Sequence, residues 1–157
     1  MQSTVFSPHE INRRANRARL ARVRGDRAAG GFPGTPATLT PAASGARVHE
    51  VRMELVNGKY RYHPAALSLK AGDVVRWVNV SGGPHNVAFK REALPAGSAG
   101  MLNTAMKGRV MDLGGPYLKD SLATYDVSFA GAPPGTYPYA CTPHAPVGMV
   151  ATLIVSP

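Results

Sequence analysis

From Val48 onward, apolar residues recur at every second position of the chain. Val51, Met53 and Leu55 alternate with Arg52 and Glu54, the pattern of a strand with one buried face. Asn57-Gly58 then marks a turn before Tyr60-Arg61-Tyr62. Leu67 and Leu69 alternate next, Ala71-Gly72-Asp73 turns the chain, and Val75 and Trp77 open a strand running to about Val80. Ser81-Gly82-Gly83-Pro84 breaks that strand, and His85 to Phe89 resumes extended structure. Residues 91–120, with Pro, Gly and three Met, predict a long loop holding at most one short strand. Ala123, Tyr125, Val127 and Phe129 alternate cleanly with Thr124, Asp126 and Ser128. Ala132-Pro133-Pro134-Gly135 turns into a strand over 136–141, and 148–155 forms the last one. Seven or eight short strands, with no helical period beyond residue 27, predict an all-β fold: an antiparallel β-sandwich.

The first 46 residues follow other rules. Ser7-Pro8-His9-Glu10 offers a capping serine, a proline at the first helical position and a glutamate at the third, and Gly25 can stop the helix. A helical arm is therefore expected over 1–27. Its apolar stripe (Ile11, Ala15, Ala18) is thin, while Arg13, Arg14, Arg17, Arg19, Arg22 and Arg24 cover the remainder. Residues 28–46, rich in Gly, Pro, Ala, Ser and Thr, read as an extended linker. That leaves 47–157 as a single domain with a core of its own.

Charge adds to this picture. The formal balance is +9, and the arm and linker hold seven Arg against Glu10 and Asp26. Such a chain favours acidic proteins, anionic lipid surfaces or nucleic acid. The arm is either a solvated tail or a segment that docks on an acidic protein or lipid surface. Nucleic acid is disfavoured, because no aromatic interleaving or recognised nucleic-acid fold accompanies the arginines. No run approaches the ~18 apolar residues of a membrane span. No apolar core of an export signal is visible either, and Arg13-Arg14 runs into a polar segment rather than an apolar one.

The candidate chemistry lies in Tyr137-Pro-Tyr-Ala-Cys-Thr-Pro-His-Ala-Pro-Val-Gly-Met149. Here the only cysteine, Cys141, precedes His144 by three residues and Met149 by eight, between two apolar runs. Thiolate and thioether are soft ligands suited to reduced copper, and imidazole serves both oxidation states. Two His, one Cys and a weak axial Met are the ligand set of a blue-copper electron-transfer site, with His85 in Gly83-Pro84-His85-Asn86 as the second imidazole. One-electron exchange is fast when such a site rearranges little between Cu(II) and Cu(I). A lone Cys excludes an intrachain disulfide and is also compatible with a buried core thiol, with Met149 as filler. Structural zinc fits poorly, since no second Cys/His pair completes its usual four ligands. His9, His49 and His63 have no comparable context and read as ordinary surface residues, and Asn79-Val80-Ser81 is too short a glycosylation pattern to carry weight.

Taken together, these residues resemble the cupredoxins, in particular the plastocyanin and pseudoazurin branch. The resemblance covers 48–157. It runs through Leu69-Lys-Ala-Gly-Asp-Val-Val-Arg-Trp-Val-Asn79, Pro84-His-Asn86 and Leu94-Pro-Ala-Gly97, and is strongest at Cys141-Thr-Pro-His144 with Gly148-Met149. It implies a Greek-key sandwich with one type 1 copper ion held by His85, Cys141, His144 and Met149, and Asn86 tying the two ligand loops together near Thr142. It also implies that His144 is the electron port, inside an apolar rim of Pro84, Pro143, Ala145, Pro146 and Val147. Two departures stand out. Ala140 occupies the position before the cysteine, where the family often has an aromatic, and this basic chain has no counterpart of the plant proteins' acidic patch.

The reading is therefore a copper-based one-electron carrier between redox partners, not an enzyme, with an acidic protein or membrane complex as partner. Family resemblance places it outside the cytoplasm, on the periplasmic side and in contact with a membrane, while the missing export signal keeps the cytoplasmic side open. The alternative is an extrinsic subunit of a membrane electron-transfer or photosynthetic complex, docked through the arm, with copper secondary or absent. Copper storage is a third idea, for which Met101, Met106 and Met111 are the only hint. Too few His remain for the extra copper sites of an oxidase.

Overall fold

The computed structural model describes residues 45–157. The expected helical arm and almost all of the linker, with His9 and the six arginines, lie outside the described residues.

Among the described residues, eight strands form two four-stranded sheets. The first has the order β2-β1-β4-β6, the second β3-β8-β7-β5. β1 is Val48–Val56, β2 Lys59–His63, β3 Ala66–Lys70 and β4 Val74–Asn79. β5 is Ala88–Phe89, β6 Thr124–Ser128, β7 Gly135–Ala140 and β8 Val150–Ser156. Asn57 and Gly58 both adopt positive φ, +50° and +74°, as a tight hairpin between β1 and β2 requires. Among the described residues no helix is long and apolar enough to cross a membrane.

The sheets are mixed rather than purely antiparallel. β1 runs parallel to β4, and β3 parallel to β8. Turn signals report only how sequential strands connect. Here β2 leads into the second sheet and β3 leads back, so β4 returns beside β1 in the same direction. Asp73 holds that return turn: its carboxylate accepts N–H groups from Arg47 (2.9 Å) and Lys70 (3.0 Å) and pairs with His49 at 2.8 Å. Those two N–H groups, more than His49, draw its pKa down to about 2. His49 is therefore a half-buried partner of Asp73, not an ordinary surface histidine.

The alternating stripes face one core. Val51 and Met53 of β1, Val75 and Trp77 of β4 and Val127 of β6 are fully buried, together with Tyr137, Tyr139 and Leu153 of the other sheet. Trp77 sits among Phe89 and Tyr139, at ring separations of 6.3 and 5.6 Å. Leu55, placed by its period on the buried face, is instead partly exposed at the end of β1.

The segment 91–120 holds a helix, α1 (Ser98–Ala105), instead of an additional strand. It is nearly invisible as a helical period because only Ser98 and Leu102 are buried, and Gly97 and Gly100 flank or interrupt it. Met106 is buried, Met101 packs against the core and Met111 is partly exposed, so these three do not form an exposed methionine cluster.

Candidate metal centre

Two connections between strands build the site. The loop 141–149 joins β7 to β8, whose register pairs Ala140 with Val150. The ladder extends one step further, Cys141 N–H donating to the Met149 carbonyl at 3.1 Å. Within the loop the Cys141 carbonyl accepts from His144 and Ala145, and the His144 carbonyl accepts from Met149 and Val147. A short 3-10 turn, Ala145–Val147, closes it, with Gly148 at φ +90°. His85 lies between β4 and β5 and exchanges two backbone hydrogen bonds with Leu118. β5 pairs with β7 through Ala88 and Ala140, which brings His85 beside Cys141.

Three donor atoms converge there. Cys141 Sγ lies 3.3 Å from His144 Nδ1 and 3.6 Å from His85 Nδ1, and the two Nδ1 atoms are 3.2 Å apart. The point equidistant from all three is about 2 Å from each, close to the roughly 2.0–2.1 Å of a nitrogen–metal bond. His85 Nε2–H donates to the Ser81 carbonyl at 2.9 Å, so Nδ1 presents its lone pair to the site. His85, Cys141 and Met149 are fully buried, and His144 is partly exposed.

Electrostatics follow from this burial. Desolvation pushes the Cys141 thiol up, against the backbone N–H groups of Asn86 and His144, which favour the thiolate. Burial lowers His85, and burial with the neighbouring His85 lowers His144. Both imidazoles are thus disposed to be neutral, as ligation requires, and a soft cation would displace the thiol proton. A thiolate and two imidazoles at one point, with Met149 buried at the end of the same loop, suit copper better than zinc's usual Cys/His tetrad.

Around these groups, Asn86 makes two hydrogen bonds to the opposite loop: Nδ2–H to Thr142 Oγ1 at 3.0 Å, and Oδ1 accepting Thr142 N–H at 2.8 Å. Pro84, Pro143, Pro146 and Val147 are exposed, and Ala145 is half-buried. Three contributors escape the sequence reading. Ser81 fixes His85 through a backbone carbonyl, which carries no side-chain signal. Tyr62 Oη–H donates to the Asn86 carbonyl at 2.6 Å. Tyr60 stacks on His144, with ring centroids 3.8 Å apart and planes within 9°. The Tyr60/Tyr62 alternation across Arg61 does put both rings on one face of β2, the only hint available.

A family profile described as "Copper binding proteins, plastocyanin/azurin family" matches residues 49–156. The chain belongs to this family. Its members include a plastocyanin of Prochlorothrix hollandica, 36% identical over 120 residues that make up 75% of this chain and 82% of that protein. The plastocyanin of Nostoc punctiforme is 32% identical over 119 residues, 76% of this chain and 81% of its own length. Among solved structures, the oxidised plastocyanin of the fern Dryopteris crassirhizoma superposes with a TM-score of 0.52 at 28% identity, covering 68% of this chain and 99% of that one. The family's cofactor, copper, is this chain's cofactor, and the donor set above fits it. The β-sandwich of a cupredoxin is likewise the fold seen here.

Proposed function

We infer that this cupredoxin carries single electrons, with His85, Cys141, His144 and Met149 as the copper ligands. The supporting observation is the convergence of one sulfur and two ring nitrogens within 3.6 Å of one another at a buried point. Bound copper supplies the Cu(II)/Cu(I) couple. The chain supplies a donor set acceptable to both states, mounted on two loops that the flanking strands hold in place. Asn86 and Thr142 join the two ligand loops, so neither can drift away from the other. The reading calls for no bond-making chemistry, and hence for no enzyme.

His144, partly exposed, is the port for electrons, inside the rim formed by Pro84, Pro143, Ala145, Pro146 and Val147. Residues 45–157 hold eleven Lys/Arg against seven acids, and three of those acids (Glu54, Asp112, Asp126) are paired with arginines. Lys59 beside Tyr60, and Lys119 beside the Leu118 that bridges His85, add unpaired positive charge among the described residues. The partner is therefore an acidic redox protein or an acidic face of a membrane complex, met through a small, brief contact. The relatives' setting supports a place outside the cytoplasm, one of them being the chloroplastic plastocyanin of Tetradesmus obliquus. The arm-docked alternative depends on residues outside the described ones, and no feature of the site favours it.

Metal analysis and the visible spectrum of the purified chain test this. One copper per chain and an intense blue colour on oxidation, both lost in Cys141→Ser, are expected. A copper-loaded, oxidised sample without colour would refute the assignment.

A further inference from the structure

The two histidines of the site are oriented by different means. His85 has the usual arrangement: one ring nitrogen faces the metal position and the other donates to a backbone carbonyl, Ser81 O at 2.9 Å. His144 has no such bond. Among the described residues its ring nitrogens contact only Cys141 Sγ and His85 Nδ1, both through Nδ1, and Nε2 has no protein partner. Its backbone is fixed at both sides by loop hydrogen bonds, which still leaves the side chain free to rotate about its own bonds. What lies on that ring is Tyr60, parallel and 3.8 Å away.

Tyr60 is itself well placed to hold something. It extends from β2, the edge strand of the first sheet, whereas His144 belongs to a loop of the second. Its ring stands edge-on to His85 at 6.0 Å and 75°. A Cβ built on Gly82 would come within 3.1 Å of Tyr60 Cε1, so the ring is also packed against the 81–84 loop whose Ser81 holds His85. One side chain thus braces both ligand-bearing loops from a third element.

We propose that Tyr60 is a positioning residue for the metal centre. Its ring fixes the His144 imidazole by stacking, in place of the hydrogen bond that Nε2 lacks. The consequence is functional: His144 is held without committing its outer N–H edge, which stays open for the electron-transfer partner. The proposal rests on His144 being a ligand, and concerns how that ligand is kept in line before metal binds and while metal is held.

The test uses the full-length chain. In the metal-free protein, nuclear magnetic resonance should show through-space contacts between the Tyr60 and His144 ring protons, with the His144 protons moved upfield by the tyrosine ring current. Tyr60→Phe should keep that shift, and Tyr60→Leu should abolish it. In the copper-loaded protein, Tyr60→Leu should release copper to a chelator about two- to tenfold faster, the range expected for losing one aromatic pair, with Tyr60→Phe near wild type. If wild type lacks the ring contacts, or if Tyr60→Leu leaves both the His144 shifts and the release rate unchanged, the proposal is overturned. The wild-type contacts decide even if Tyr60→Leu does not fold. The metal-free spectrum reports on Tyr60 whatever the colour of the loaded protein, and that colour bears on the carrier reading alone.

Discussion

Replacing Asn86 by Ala severs the two side-chain hydrogen bonds that join the ligand loops and leaves most of the surrounding structure intact. The bonds are 3.0 and 2.8 Å long, and Asn86 is buried. Each contributes about 1–1.5 kcal/mol net, for a loss of roughly 2–3 kcal/mol. The bond from the Tyr62 hydroxyl to the Asn86 backbone carbonyl survives the substitution, which confines the effect to the Asn86 side chain. For a domain of this size 1 kcal/mol is worth about 4 °C, so the melting temperature of the metal-free protein should fall by roughly 10 °C. Thr142→Val removes only the hydroxyl partner and should cost about 1 kcal/mol. The double variant should cost less than the sum of the two, since both touch the same link. Copper affinity should drop by about 10- to 100-fold in Asn86→Ala, as when outer partners of ligands are lost. Thermal melts with a chelator present, followed by a competition titration with copper, measure both quantities. An Asn86→Ala melting temperature within two degrees or so of wild type would show that the loops do not depend on this link.

Two more outcomes follow from the same geometry. Gly82 has φ +77°, and an added Cβ would lie 2.6 Å from Leu55 Cβ, so Gly82→Ala should destabilise the fold by about 1–3 kcal/mol in a denaturant titration and displace the Ser81 carbonyl from His85. Asp73, drawn from its usual 3.8 down to about 2, contributes stability that is complete above pH 4 and lost as the pH falls through 2. The stability gap between wild type and Asp73→Asn should therefore shrink across that interval in acid unfolding, and a gap that widened there would contradict the assignment.

How far the sequence reveals this protein depends on which side of a strand each residue falls. In β7 the buried residues Tyr137 and Tyr139 set a period of two that carries on to Cys141, and in β8 the period of Ala151, Leu153 and Val155 runs back to Met149. Val87 and Phe89 extend the same way to His85. These three candidate ligands are continuations of core-facing stripes, legible in the alternation alone. His144 is the exception, placed by loop turns and only partly buried, and it is legible by its spacing from Cys141 instead. What resists reading has a common cause: it depends on contacts between elements far apart in the chain. The parallel pairing of β1 with β4 follows from where the intervening strands pack, and α1 is pinned by just two buried residues, Ser98 and Leu102. Tyr60 becomes meaningful only once β2 is known to reach the 141–149 loop.

The same periodicity also separates the copper reading from its plainest rival, a cysteine buried as core filler. A core stripe accounts for the burial of Cys141, Met149 and His85, since residues at those positions must face inward whatever they do. It does not account for chemistry. Filler would not need two imidazoles to turn the same nitrogen, Nδ1, toward one sulfur, nor His85 to be locked in the tautomer that leaves that nitrogen bare. Register is what makes the convergence possible. A slip of one residue between β7 and β8 would turn Cys141 or Met149 to the solvent face and bury its neighbour Thr142 or Val150 instead. The inward tyrosines of β7 and the Leu153 stripe of β8 oppose that slip, so the core that stabilises the sandwich is also what aims its two sulfur side chains inward.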